Sequence, residues 1–177
     1  FTNSGITTLT ISGGISGTGN VTFNNNSSGT TTVSTTSINN TGTITNSGSG
    51  SGATTITTTV GSNVTGVTQN GSSPLVLSGT NTFTGSTTIT AGTLKAASAA
   101  ALSTRAVSIG SSGTLDLTYS GTVALGSTLS MSTGASITNS ANTSSLSVAG
   151  TSTLNGSVTT AGTQTYTGAV TLGANTV

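Results

Sequence analysis

The chain has no histidine, cysteine, glutamate or tryptophan, and its single proline is Pro74. Only Lys95, Arg105 and Asp116 are charged at neutral pH. Each absence excludes a chemistry. General acid–base catalysis uses a titratable pair, and Asp116 is the lone carboxylate side chain. A serine nucleophile needs a neighbouring base, and only Lys95 is on hand. Metal cages of cysteine, histidine or several carboxylates cannot be assembled. The chain therefore reads as a non-enzyme, with no catalytic, cofactor-binding or metal residue assigned and no cofactor expected. Lack of cysteine rules out a disulfide-stapled scaffold. Lack of clustered lysine and arginine argues against nucleic acid as a partner. No window approaches ~18 consecutive apolar residues, so no transmembrane helix is expected, and no signal peptide is visible. The chain begins at Phe1 and not at methionine, which suggests a mature or internal piece of something longer.

What is present is small, polar and uncharged. There are 45 threonines, 31 serines, 26 glycines and 15 asparagines in 177 residues. Leucine, isoleucine, valine and phenylalanine together make 36, at the edge of the disorder-prone range. Disorder usually also needs high net charge, and the formal charge here is +1. Threonine, with its branched Cβ, suits a pleated surface. An ordered all-β protein is the expectation.

Short runs with period-two alternation recur between glycines, asparagines and serines. They include 75–77, 87–90, 106–109, 114–117, 122–125, 128–131 and 145–148. In each, one side is apolar and the other carries hydroxyls. Asn81-Thr82-Phe83-Thr84-Gly85 is echoed much later in the chain by Gln164-Thr165-Tyr166-Thr167-Gly168. Strands of three to five residues with a turn every few residues are too short for a sandwich. They match a solenoid whose coils stack by parallel pairing, with asparagine ladders at the corners. Residues 46–53 read as a flexible loop. Residues 95–106 read as a protruding alanine-rich loop with at most a turn or two of helix. Pro74 fits a strand start.

The run Leu75–Leu94 resembles the autotransporter-associated β-strand repeat: Asn-Thr-aromatic-Thr-Gly, then Thr-Thr-Ile, then Ala-Gly-Thr-Leu. Residues 106–117 continue it, so the likeness covers 75–117. The opening stretch Leu9–Gly17, the Gln164–Gly168 echo and Gly173–Val177 resemble haemagglutinin-like repeats of large surface proteins. The resemblance implies a right-handed parallel β-helix belonging to a long bacterial surface or secreted passenger, exported across an outer membrane, with no catalytic residue in the repeat. No part of the sequence looks like a membrane barrel.

The remaining candidates have plain readings. Asp116 is expected to be a solvated, outward strand residue. Lys95 and Arg105 flank the alanine-rich loop, where simple solubility outweighs docking of an anionic partner. Phe83, Tyr119 and Tyr166 suit packing better than sugar stacking. Thr-x-Thr motifs at 8–10, 43–45, 55–57 and 88–90 invite an ice-binding reading, but their uneven spacing predicts rows that do not line up. Asn-x-Ser/Thr sequons at Asn20, Asn25, Asn26, Asn39, Asn63, Asn70 and Asn142 follow from composition.

The expectation is one continuous solenoid over 1–177: coils over 1–74, the family-type repeat over 75–117 and further coils over 118–177. Its expected role is a structural segment of an extracellular or cell-surface bacterial adhesin or stalk, a rigid spacer that displays loops. The alternative is a filament subunit stacking end to end, because neither Phe1 nor Val177 lies in a polar or charged cap. Expected partners are adjoining repeats, other copies of the chain, or a host or neighbouring-cell surface.

Overall fold

The computed structural model describes residues 1–34 and 36–173. The 174–177 part of the last haemagglutinin-like stretch lies outside them, as does the expected lack of a cap at Val177. The described chain is all strand and turn, with no helix. Its strands pair in parallel and wind into a β-solenoid of about eight turns.

Alternation explains the winding. On one face the strands Val21–Asn25, Gly42–Asn46, Val64–Gln69, Thr87–Ala96, Val107–Leu117, Leu129–Met131, Ser152–Leu154 and Val170–Leu172 stack in order. On a second face Leu9, Thr31, Thr54, Leu75, Leu94, Leu115, Ile137 and Val158 occupy one inward row. A third face has only isolated bridges in the early coils, Ile15 to Ile38 to Val60. In the later coils it becomes a sheet of Thr122–Leu125, Ser145–Val148 and Gln164–Tyr166. Cross-coil backbone bonds are of ordinary length, as in Val107 N–H to the Thr128 carbonyl at 2.9 Å.

The three faces enclose one slim interior. Val107, Leu115, Val123 and Leu129 all lie in the same buried cluster, each at most 1 % exposed. Removing such a side chain from water is worth ~1.5–3 kcal/mol, and each coil supplies a few of them. The echo between the Phe83 and Tyr166 segments is also explained. Thr87, Val107, Leu129, Ser152 and Val170 are successive register partners, so Thr87 and Val170 hold the same place in their coils, and so do the segments that lead into them.

Three local expectations are corrected. Residues 46–53 are not a free loop. The Gly50 and Gly52 amides donate to the Asn25 and Ser27 carbonyls of the coil below, both at 2.9 Å. A Cβ on Gly52 would run into the Gly29 carbonyl, so this corner stacks only because it is glycine. The alanine-rich segment does not protrude as a helical loop. Successive turns fold Ala101 and Leu102 fully inside, and the Ala100 carbonyl accepts from the Asn81 amide. Small side chains let the backbone itself enter the column. Finally, some strands exceed five residues: Val64–Gln69 has 6, Thr87–Ala96 has 10 and Val107–Leu117 has 11. In the longest two, pairing continues around a corner, where Gly92 of one strand turns tightly at φ +71° opposite Gly113 of the other.

Candidate functional site

The charges are the first candidates. Leu115 and Leu117 point inward, so alternation turns Asp116 outward. Asp116 is nevertheless buried, which corrects the solvated placement expected from the sequence. The polar run 139–144, following the strand Ser136–Thr138, bends back over it. Ser140 donates to the carboxylate twice, from its amide to Oδ1 at 2.8 Å and from its hydroxyl to Oδ2 at 2.6 Å. Thr138 adds a longer bond at 3.3 Å. The bend is held by the Ser144 hydroxyl, which donates to the Leu117 and Tyr119 carbonyls, and by Asn142 at φ +54°.

Lys95 is the register partner of Asp116 one coil below, and its ammonium lies 3.9 Å from Oδ2. Its side chain is 38 % exposed. Arg105 is exposed and makes no ion pair among the described residues. The structure thus brings Lys95 to Asp116 and leaves Arg105 apart. Both carboxylate oxygens already hold donors, so the group ties three successive coils together and is not held open for a ligand.

Asparagine corners form a second cluster. The Asn25 amide donates to the Gly29, Gly52 and Ala53 carbonyls at 2.8, 2.9 and 3.1 Å. Asn3 does the same with the Thr7 and Thr30 carbonyls, and Asn46 reaches the Ser73 carbonyl and the Gln69 side chain. Each amide ties its corner to the next coil, which is the corner ladder expected from the asparagine content. Phe83 is fully buried, and Tyr119 and Tyr166 pack against the core from its edge. Burial pushes the Tyr166 phenol above its ordinary value of 10.0.

The outward surface of the first face holds a feature that motif spacing missed. Thr22, Thr45, Thr68, Thr88, Ser108, Ser130, Thr153 and Thr171 are register partners in unbroken succession. The Thr-x-Thr motifs themselves do not line up, as their spacing predicted, and the aligned row is a different one. Those motifs are split between two faces, and serine fills rungs that a threonine search skips. The equivalent row of the second face reads Thr10, Thr32, Thr55, Val76, Lys95, Asp116, Thr138, so it is broken in the middle.

Residues 67–96 match the family model described as the passenger-associated-transport-repeat. The match begins in the strand Val64–Gln69, takes in the buried Phe83 corner and ends with the strand Thr87–Ala96. No curated protein and no solved structure matches the chain.

Proposed function

We propose, with the passenger-type repeat at 67–96 as premise, that this chain is a non-catalytic spacer of a bacterial surface or secreted passenger. The repeat and the solenoid together fit an autotransporter passenger segment. The finer role, a stalk or adhesin shaft that holds loops away from a cell, rests on one observation. Parallel pairing is continuous from the strand Thr2–Asn3 to the strand Val170–Leu172. Each coil stiffens the next through backbone bonds and shared side-chain rows, so bending the column means breaking several at once.

The role needs no cofactor. Its partners are adjoining repeats, further copies or an opposing cell surface, and its place is outside the cell. The test is to display the chain on an outer membrane between an anchor and an epitope, once and in tandem duplicate. Each added coil is expected to move the epitope outward by ~4.8 Å, the spacing of paired strands. An epitope whose height ignores the number of coils overturns the spacer.

A second reading is a subunit that stacks end to end, with apolar side chains of the first and last described coils forming the contact. Phe1, Ile6, Val170 and Leu172 are 54, 86, 42 and 61 % exposed. Electron microscopy of purified protein distinguishes fibres from single rods.

A further inference from the structure

We propose that the first face of the solenoid binds ice. Its central row, from Thr22 to Thr171, presents one hydroxyl per coil in continuous register. At ~4.8 Å per rung the row is about 34 Å long. Repeated side-chain ladders are also what keeps a many-stranded sheet flat.

Two further observations point to the occupant. First, the row faces outward without a break. None of its hydroxyls is engaged by another group of the described protein, so each is open to an outside surface, whereas corner hydroxyls are tied to carbonyls, as Ser72 is to Ser49 at 3.0 Å and Ser98 is to Gly79 at 2.8 Å. Second, the face is neutral. The residues two before and two after each row position in sequence, most of them just beyond the strand ends, are asparagine, threonine, serine, glycine or alanine, from Asn20 and Asn24 to Ala169 and Gly173. All three charges lie elsewhere, Lys95 and Asp116 on the second face and Arg105 in the corner before Val107.

This face has no cavity-like concentration of polar groups, so a discrete small ligand has nothing to enclose it. It offers the same contact at every coil. Its partner must therefore repeat at nearly the same step, carry no charge, and both donate and accept hydrogen bonds, as a hydroxyl does. The water lattice of ice meets all three conditions. At every rung but Ser108 and Ser130, threonine adds a methyl beside the hydroxyl, which favours displacing disordered water. Its χ1 is stiff, so little side-chain freedom is lost on contact. A crystalline neutral polysaccharide is the other periodic, hydroxylated surface. Sugar rings present C–H faces that pack on aromatic rings, and neither the row nor the residues two before and after it in sequence include one.

The test is nanolitre osmometry and an ice-recrystallisation assay on the purified chain. Faceted ice crystals and a freezing-point gap that grows with protein concentration are expected. Thr45→Tyr, Thr68→Tyr and Thr88→Tyr, which place a bulky ring on the row, should each remove most of the gap. Thr32→Tyr on the second face should leave it unchanged. Circular dichroism confirms that each variant is folded, and Thr68→Lys serves where a tyrosine variant is not. Round, unshaped crystals with folded wild-type protein overturn the proposal. So does an equal loss from Thr32→Tyr, and so does retention on microcrystalline cellulose without any effect on ice. The spacer reading is tested by epitope height and stands or falls separately.

Discussion

Asp116 and Thr54 show opposite fates of a polar side chain packed among coils. Asp116 is surrounded by donors, and removing it leaves the Ser140 amide and hydroxyl without their acceptor. Asp116→Ala is expected to cost ~1–3 kcal/mol. Lys95→Ala should cost less than ~1 kcal/mol, because that ammonium is more than a third exposed and 3.9 Å away. Urea unfolding of the two variants checks the order. Thr54 is the reverse case, since its buried hydroxyl has no hydrogen-bond partner. Thr54→Val replaces it with a methyl and should stabilise the fold by ~1 kcal/mol. Tyr166 gives a pH signature. Its folded value is raised by burial, so its contribution is complete below pH 10.0 and declines as pH rises through the folded value. Tyr166→Phe should flatten that alkaline decline in melting temperature. None of these fates was legible in the sequence: alternation gives the direction of Asp116, but its cover comes from residues 139–144, one coil later.

At the scale of the element, the short alternating runs were legible and the corners were not. All seven runs named from the sequence fall on observed strands, with only Ala106 and Thr128 just outside them, because the inward and outward choice is local and period two. The corner 46–53 looked flexible because its Gly-Ser composition carries no partner of its own. Its partners are amides and carbonyls of the coil beneath, which no local reading can supply. Gly52→Ala would press a methyl onto the Gly29 carbonyl, and a loss near ~3 kcal/mol is expected, at the upper end for one substitution. Asn25→Ala should also lower the urea midpoint, since three carbonyls lose their donor together.

For the whole molecule, stability is carried by neighbour-to-neighbour coupling along one axis. The coils from Thr87 to Met131 have neighbours above and below, with Ile89, Ile109 and Leu115 fully buried. The last described coil exposes Val170 and Leu172. Hydrogen exchange is expected to be slowest in the central coils and to quicken toward 157–172. Uniform protection along the chain would instead mean all-or-none opening.

Composition and alternation by themselves determined a charge-poor, all-β chain with an aliphatic inner side, a hydroxylated outer side and glycine or asparagine corners. These are consequences of side-chain type and strand geometry, which act within a few residues. Only the tertiary structure decided which residues stack on which. Successive coils along the first face differ in length, so no fixed period yields the rows. Register is set by backbone bonds between coils and by corners of unequal length. Those non-local contacts buried Asp116, anchored the alanine-rich segment and aligned the hydroxyl row from Thr22 to Thr171.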